Sequence, residues 1–424
     1  MALIGYKPLV AKLVKEAGFN CVQFPVSVEL VKSNRLGSAL DEAIQELSDR
    51  QIMVVVGIHV LKAGWCCSYS DGNGIWNLAG DSEYTTAAWV DALQRVVQRY
   101  KNNPWVIGVD LFNEIHNTPG RAVSWGANDN VDLDWKAASE HAAEKVHMVN
   151  NESLVFVQGM CYALDLRPLH KAPPLFRLSS SKLVLVGHFY PWSFFWSIIQ
   201  HEFSVDRWAP FIAILAISCA ISMWKMQKTG EAHPGLICMQ IVVLGVVIST
   251  IGASLLYSIS ASIGCANPDV AVIVAALCLI SGVGIFFYIL MCAYSQTPAK
   301  AHAAAFLYST SAITGVWACI VFPLTVSQPF RTAMLQQDVQ RYLGTHQSKH
   351  PFFLGEFGMA INIDEDRSDY WAVLKRLHIR NWAYWPLNSL KYNEKSKTFT
   401  DETYGLLRLP DYKWATTRLQ RLPW

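Results

Sequence analysis

Between Ala209 and Val326 the chain carries four long stretches with no internal charge: Ala209–Trp224, Leu236–Ile263, Val270–Tyr294 and Ala303–Val326. A membrane-spanning helix needs about 20 apolar residues, with a range of about 17–25. Three of the runs meet this length, and the first meets it once Trp208 and its neighbours are counted. Four helices apolar all round, in succession, do not suit a soluble core, so four membrane spans are expected. The short connections set the orientation. Lys225 and Lys228 lie in the first and Lys300 in the third, whereas the second carries only Asp269. The positive-inside bias then puts the first and third loops in the cytosol and both long flanks on the far side. An even number of spans returns the chain to the side it left, so the segments before 208 and after 326 can form one folded unit.

Composition agrees with a lipid-embedded part. Apolar residues make up 52% of the 424-residue chain and charged residues 16%, against about 25% charged in ordinary soluble domains. Mean hydropathy is +0.21. This excludes a disordered chain. A formal net charge of +2 supplies no broad basic field, so nucleic acid is not an expected partner.

Removing 208–326 leaves roughly 300 residues, enough for a full single-domain core. In these flanks short apolar, β-branched runs alternate with helix-period segments. Strands are expected at Asn20–Pro25, Met53–Val60, Val106–Phe112, Leu154–Gln158, Leu183–Tyr190, Phe352–Phe357 and Asn381–Leu387. Helices are expected at Tyr6–Ala17, Leu40–Asp49, Thr85–Tyr100, Asp134–Val149, Thr332–Leu343 and Asp369–His378. Such alternation predicts βαβ units and a parallel sheet, with closure into a (β/α)8 barrel. A doubly wound sheet is the competitor, but no glycine-rich phosphate turn follows the first strand. The chain opens on a helix with no strand or signal peptide before it, so the first barrel strand and any export signal are expected upstream of Met1.

In a parallel barrel chemistry gathers where strands end. Asn113-Glu114 follow one strand, Glu356 lies in Leu-Gly-Glu-Phe-Gly, His188-Phe-Tyr190 close another, His59 ends the Met53 strand and Trp385 lies in the last. An acid at the end of an apolar strand is costly to bury unpaired. Two acids converging on one mouth fit glycoside hydrolysis, in which one carboxyl protonates the leaving oxygen and the other attacks the anomeric carbon.

These motifs, in this order, resemble glycoside hydrolase family 5, the cellulase family of clan A. Phe19-Asn-Cys-Val-Gln-Phe-Pro-Val-Ser27 resembles its second strand, His59 to Gly64-Trp65-Cys66-Cys67 its third, Arg99 to Gly108 the approach to the acid strand, and Trp382-Ala-Tyr-Trp385 its eighth. The likeness covers 1–196 and 328–424. It implies a (β/α)8 TIM barrel, and with the readings above this barrel lacks its first strand in the sequence and is interrupted by the four-helix transmembrane insertion. Glu114 would be the acid/base and Glu356 the nucleophile. Asn113 would bond the sugar 2-hydroxyl, His188 and Tyr190 would tune the two carboxyls, His59 would line the −1 subsite and Trp385 would form its floor. Trp65, Trp76, Trp125 and Trp192 would fall in loops on the sugar face, and two of the four are expected to stack on glucosyl rings. No cofactor is implied. One departure stands out: the second-strand position held in the family by Arg is Gln23, and a neutral amide fixes an ionised nucleophile less well. A catalytically impaired glucan-binding membrane protein is therefore the rival to an active enzyme.

Three further features have plain readings. Glu140 to His147 lacks the His-Glu-x-x-His order and reads as an exposed helix face, with no metal implied. Six of the ten cysteines sit in the apolar region as fillers. Of the other four, Cys66 or Cys67 could bridge to Cys21 or Cys161 in an oxidising compartment. Asn151-Glu-Ser153 is a glycosylation sequon.

The chain is thus expected to comprise a first barrel part at 1–196, a four-span insertion at 208–326 and a last barrel part at 328–424. Its partners would be β-glucan or a related polysaccharide and the lipid bilayer, with the barrel extracellular or lumenal. Expression in a eukaryotic host should yield glycosylated Asn151, read as an endoglycosidase-sensitive mass shift. Unmodified Asn151 in a barrel shielded from protease in intact cells would place the flanks in the cytosol instead.

Overall fold

The computed structural model describes residues 7–33, 36–64, 66–69, 71–127, 130–170, 181–191, 328–344, 350–360, 368–393, 397–409 and 411–423, with the isolated positions 193, 221, 224 and 228. Two compact units divide the chain, Met1–Phe194 with Gln336–Trp424, and Phe195–Leu335. The four apolar stretches expected to span a membrane lie, apart from two of those isolated positions, outside the described residues. Among the described residues no helix is long and apolar enough to cross a membrane.

The first unit is built on seven strands: β1 (Cys21–Ser27), β2 (Met53–Val60), β3 (Val106–Asp110), β4 (Leu154–Gln158), β5 (Leu183–Phe189), β6 (Phe352–Phe357) and β7 (Trp382–Tyr384). They hydrogen-bond in sequence order, and every pairing is parallel. β7 returns to within 8 Å of β1 between Cα atoms. The result is a nearly closed parallel barrel, consistent with the expected (β/α)8 fold. The main helices are α1 (Lys7–Glu16), α2 (Gly37–Ser48), α3 (Thr86–Tyr100), α4 (Trp135–Val149), α5 (Gln328–Leu343) and α6 (Ser368–Arg376). All lie within a few residues of the expected segments. Thr85 and Asp134, read as helical from sequence, are instead the N-caps of α3 and α4, as their side-chain oxygens favour. The segment Glu140–His147 runs along α4, where Glu140 pairs with Lys136 at 2.9 Å. Two small hairpins, Leu390–Asn393 with Thr398–Asp401 and Leu407–Arg408 with Lys413–Trp414, were not legible as strands, being short and partly polar.

Strand periodicity explains how a dry interior ends in a polar mouth. Val55, Phe156, Val184, Val186 and Phe353 form a buried cluster inside the barrel, with the Phe156 and Phe353 rings edge-to-face at 5.6 Å. Two residues further along each strand the same face carries Gln158 after Phe156 and His188 after Val186. On β6 the register slips: Gly187 pairs with Leu354, but His188 pairs with Glu356. This bulge brings Glu356 opposite His188, beside Gly355, whose Cα also faces the imidazole. A Cβ on Gly355 would lie 2.5 Å from Val186 Cγ1, so glycine is required where the strand bulges.

Outside the barrel, Trp76, Trp89 and Trp135 are fully buried, with ring centroids 4.9–6.0 Å apart. Each indole N–H is satisfied: Trp89 donates to Leu111 O, Trp135 to Gln158 O and Trp76 to Val131 O. Trp76 was expected on the sugar face. It is a core residue, because its ring completes this cluster. Asp134 is equally central. Its carboxylate accepts from the backbone of Gly126, Ala127, Lys136 and Ala137 and from Ser124 Oγ, and it is fully buried. Asp134→Ala leaves several buried donors without an acceptor, and should cost about 2–3 kcal/mol by denaturant unfolding. A cost below about 0.5 kcal/mol would mean that water takes over the carboxylate's role.

Candidate active site

Seven of the eight residues expected at the site converge at the C-terminal ends of the strands; the eighth, Trp65, lies outside the described residues. Asn113 and Glu114 follow β3. Leu111 and Gln158, flanking them in space, have their carbonyls held by the buried indoles, so the turn that carries the acid is anchored from behind. Glu114 has φ +48°, a left-handed conformation uncommon for a residue with a side chain. It is held there by a hydrogen bond from its N–H to Gln158 Oε1 at 2.7 Å and by His116 Nδ1 against its carbonyl at 2.5 Å. His116 is stacked on Tyr162 with centroids 3.9 Å apart.

The centre is a carboxyl–imidazole–carboxyl arrangement. His188 Nδ1 lies 2.9 Å from Glu114 Oε1 and 3.7 Å from Glu356 Oε2. One oxygen of each carboxyl and the imidazole nitrogen all lie within 4.8 Å of one another. Tyr190 donates its hydroxyl to Glu356 Oε2 at 2.9 Å. Tyr370 on α6 ties the strand ends together, donating to Phe189 O and accepting from Gly358 N–H. His59 stacks face to face on Trp385, with centroids 5.3 Å apart and planes 7° from parallel. Asn113 Nδ2 points towards the sulfurs of Cys66 and Cys67, at 4.0 and 3.6 Å.

Burial dominates the electrostatics. Glu114 and Glu356 are only 8% and 7% exposed, and His188 is fully buried. Removal from water disfavours their charged forms. Glu114 is pushed from 4.5 up to about 8, mainly by burial and further by Asp71. Glu356 rises less, to about 7, because His188 and the Tyr190 hydroxyl favour its anion while Glu114 opposes it. His188 is held below the usual histidine value by the same desolvation, and so is His59, at about 3.

Cys66 and Cys67, expected to bridge to Cys21 or Cys161, are joined to each other. Cys21 is a free thiol, raised to about 12 by burial; it belongs to the barrel interior. Cys66 Sγ sits 3.3 Å from His59 Nε2, so the adjacent pair forms part of the pocket wall. Among the described residues two trios bring potential metal-ligand atoms together, His59/Cys66/Cys67 and Glu114/His188/Glu356. The first has its sulfurs in a disulfide rather than as thiolates. In the second, burial favours neutral carboxyls. Of the other tryptophans expected to stack on sugar, Trp192 lies outside the described residues and Trp125 is half-buried.

Gln23 does not turn to Glu356. Its amide donates to Asp110 Oδ2 at 3.1 Å, a buried acid that the sequence reading passed over, as it did Gln158 and His116. The available signal was an acid closing an otherwise apolar strand, Val-Ile-Gly-Val-Asp.

A nearly closed parallel α/β barrel thus gathers two carboxyls around one buried imidazole at its C-terminal mouth. Residues 7–211 match the model of the family described as Cellulase (glycosyl hydrolase family 5). Over 220 residues the chain is 26% identical to a glycosyl hydrolase 5 family protein of Chamaecyparis obtusa, covering 44% of this chain and 37% of that one. Over 196 residues it is 30% identical to the major extracellular endoglucanase of Xanthomonas campestris pv. campestris, covering 41% and 38%. The chain thus spans less than two fifths of the length of these curated relatives. Its fold is similar to that of the catalytic domain of the major endoglucanase from Xanthomonas campestris pv. campestris, with a TM-score of 0.53 at 17% identity, covering 98% of this chain and 86% of that one. The family model and the relatives support glycosyl hydrolase family 5.

The raised carboxyls tie stability to pH. Their folded pKa values lie above the unfolded ones, so each contributes stability that is complete below about 4.3 and is lost as pH rises through the folded value. The melting temperature should fall between pH 5 and pH 8. Glu114→Gln and Glu356→Gln should flatten that fall and melt above the parent at pH 8. Parallel profiles for parent and variants would show that neither carboxyl is shifted.

Proposed function

We propose that the chain is a retaining glycoside hydrolase that cleaves β-linked glucan in the manner of an endoglucanase. The observation that carries this reading is the single imidazole between Glu114 and Glu356, with oxygens of both carboxyls within 4.8 Å. Retaining enzymes hold their carboxyls about 5–5.5 Å apart, whereas inverting ones leave about 6.5–9.5 Å for a water. The O-glycosyl hydrolase activity also rests on the family match and the endoglucanase relatives described above.

Glu114, whose pKa is raised the more, would arrive protonated and give its proton to the leaving glycosidic oxygen. Glu356, steadied by the Tyr190 hydroxyl, would attack the anomeric carbon to form a glycosyl ester. Glu114, now ionised, would then take a proton from water as it displaces the sugar from Glu356. The two environments separate the roles of chemically identical side chains. Asn113 would meet the sugar 2-hydroxyl, His59 would line the −1 subsite, and the Trp385 face, backed by His59, would form its floor.

The insertion at 208–326 would tether this barrel to a membrane, on the strength of four charge-free stretches of spanning length. The lysine distribution favours the extracellular or lumenal side for the barrel. A second reading, a glucan-binding protein without turnover, draws on Gln23, whose amide engages Asp110 and leaves Glu356 without a cationic neighbour on that strand.

With p-nitrophenyl β-cellobioside and soluble β-glucan, kcat/KM should follow a bell in pH. Activity would be lost below about 7, as Glu356 takes up a proton, and above about 8, as Glu114 loses one. Glu356→Gln should abolish the covalent intermediate, and Glu114→Gln should lower kcat on glucan by about 10²–10⁴-fold. Turnover that survives Glu356→Gln unaltered overturns the assignment. Binding of glucan with no cleavage by the parent establishes the second reading.

A further inference from the structure

Behind the two carboxyls lies a second polar cluster that the proposed chemistry does not use. Asp110, at the end of β3, is 2% exposed, and Gln158, at the end of β4, is 1% exposed. Asp110 Oδ2 accepts from Gln158 Nε2 at 2.8 Å and from Gln23 Nε2 at 3.1 Å. Gln158 Nε2 also donates to Asn113 Oδ1 at 3.2 Å, and Gln158 Oε1 accepts the Glu114 N–H at 2.7 Å. Space for this meeting is left by Gly57 on β2. A Cβ there would lie 3.1 Å from Asp110 Cβ and 3.2 Å from Gln23 Nε2.

The donor and acceptor pattern permits only one orientation of the amides. A backbone N–H must find an acceptor, so Gln158 turns its oxygen to Glu114. Its NH2 group then faces Asp110, which supplies the matching acceptor, and Asn113 must present its own oxygen to that same NH2 group. Asn113 is thereby turned so that its NH2 group faces the pocket, where it approaches Cys67 Sγ at 3.6 Å. One side chain thus fixes both the left-handed peptide of Glu114 and the rotamer of Asn113. Asp110 fixes the side chain that does so.

We propose that Gln158, oriented by Asp110, is the positioning residue of the site, setting the acid/base and the sugar-binding amide in register with each other. This rests on the hydrolase reading above. Neither residue touches substrate. Both act through Asn113 and Glu114, so their loss should appear in kcat and its pH dependence rather than in folding.

The test compares Gln158→Leu, Gln158→Glu, Asp110→Leu and Asp110→Asn in the full chain, each checked by thermal melting. Displacing a catalytic group by about 1 Å costs about 100-fold, so Gln158→Leu should lower kcat on p-nitrophenyl β-cellobioside by about that factor, with KM within about threefold. Its alkaline limb should move, because Glu114 no longer meets His188 in one geometry. The defect should be at least about tenfold smaller with a 2,4-dinitrophenyl leaving group, which needs little protonation. Gln158→Glu sets two carboxyls against each other and should behave like Gln158→Leu. Asp110→Leu should reproduce the defect, while Asp110→Asn, which keeps an acceptor oxygen, should retain at least about tenfold more activity than Asp110→Leu. An active parent whose Gln158 variants keep kcat, pH profile and leaving-group dependence overturns this inference alone. An inactive parent overturns the hydrolase reading and this inference with it.

Discussion

Two carboxyls share one buried imidazole, and the rest of the barrel mouth is organised around keeping that arrangement dry and aligned. A carboxylate taken out of water is costly unless it is partnered, and here the partner is a histidine that burial itself keeps neutral. The three groups therefore hold one another close to the point where a proton can be gained or lost. His188 is reached only by following the inward face of β5, and Glu356 only because β6 bulges beside it. A regular strand would have sent that acid outward.

The scaffold around this centre works at a distance from it. Trp89 and Trp135 pin carbonyls on either side of the Asn113–Glu114 turn, and Tyr370 bridges the ends of β5 and β6. Each is a large apolar side chain with a single polar atom, so burial and alignment come from the same residue. Removing one of them would loosen the site without touching it.

Much of this arrangement was legible in the sequence because it follows from periodicity. Apolar runs such as Met53–Val60 and Leu183–Phe189 read as buried parallel strands, and Glu114, His188 and Glu356 stood out as polar residues at their ends. What escaped notice depends on the third dimension. Trp76 reads the same whether its ring meets sugar or two other indoles. Asp110 and Gln158 close β3 and β4, but which polar side chain each one meets behind the mouth depends on the packing of neighbouring strands. The Cys66–Cys67 pair lacked the separation that suggests a bridge, and Gln23, noted as a departure beside Glu356, meets an acid that had not been considered.

The seam between β5 and β6 joins Leu185 to Phe352, across by far the longest interval in the sheet. Strands β1 to β5 leave the ribosome early, and Glu114, His188 and Tyr190 come with them. The second acid and the last two strands arrive only after everything in between has been synthesised. Entropy charges little for closing a longer loop, since the cost grows only with the logarithm of its length, but the delay is real. Until the late strands dock, the edge of β5 and the polar mouth beside it stand open, so the half-built barrel is the stage of its life at which this chain is most exposed to misassembly.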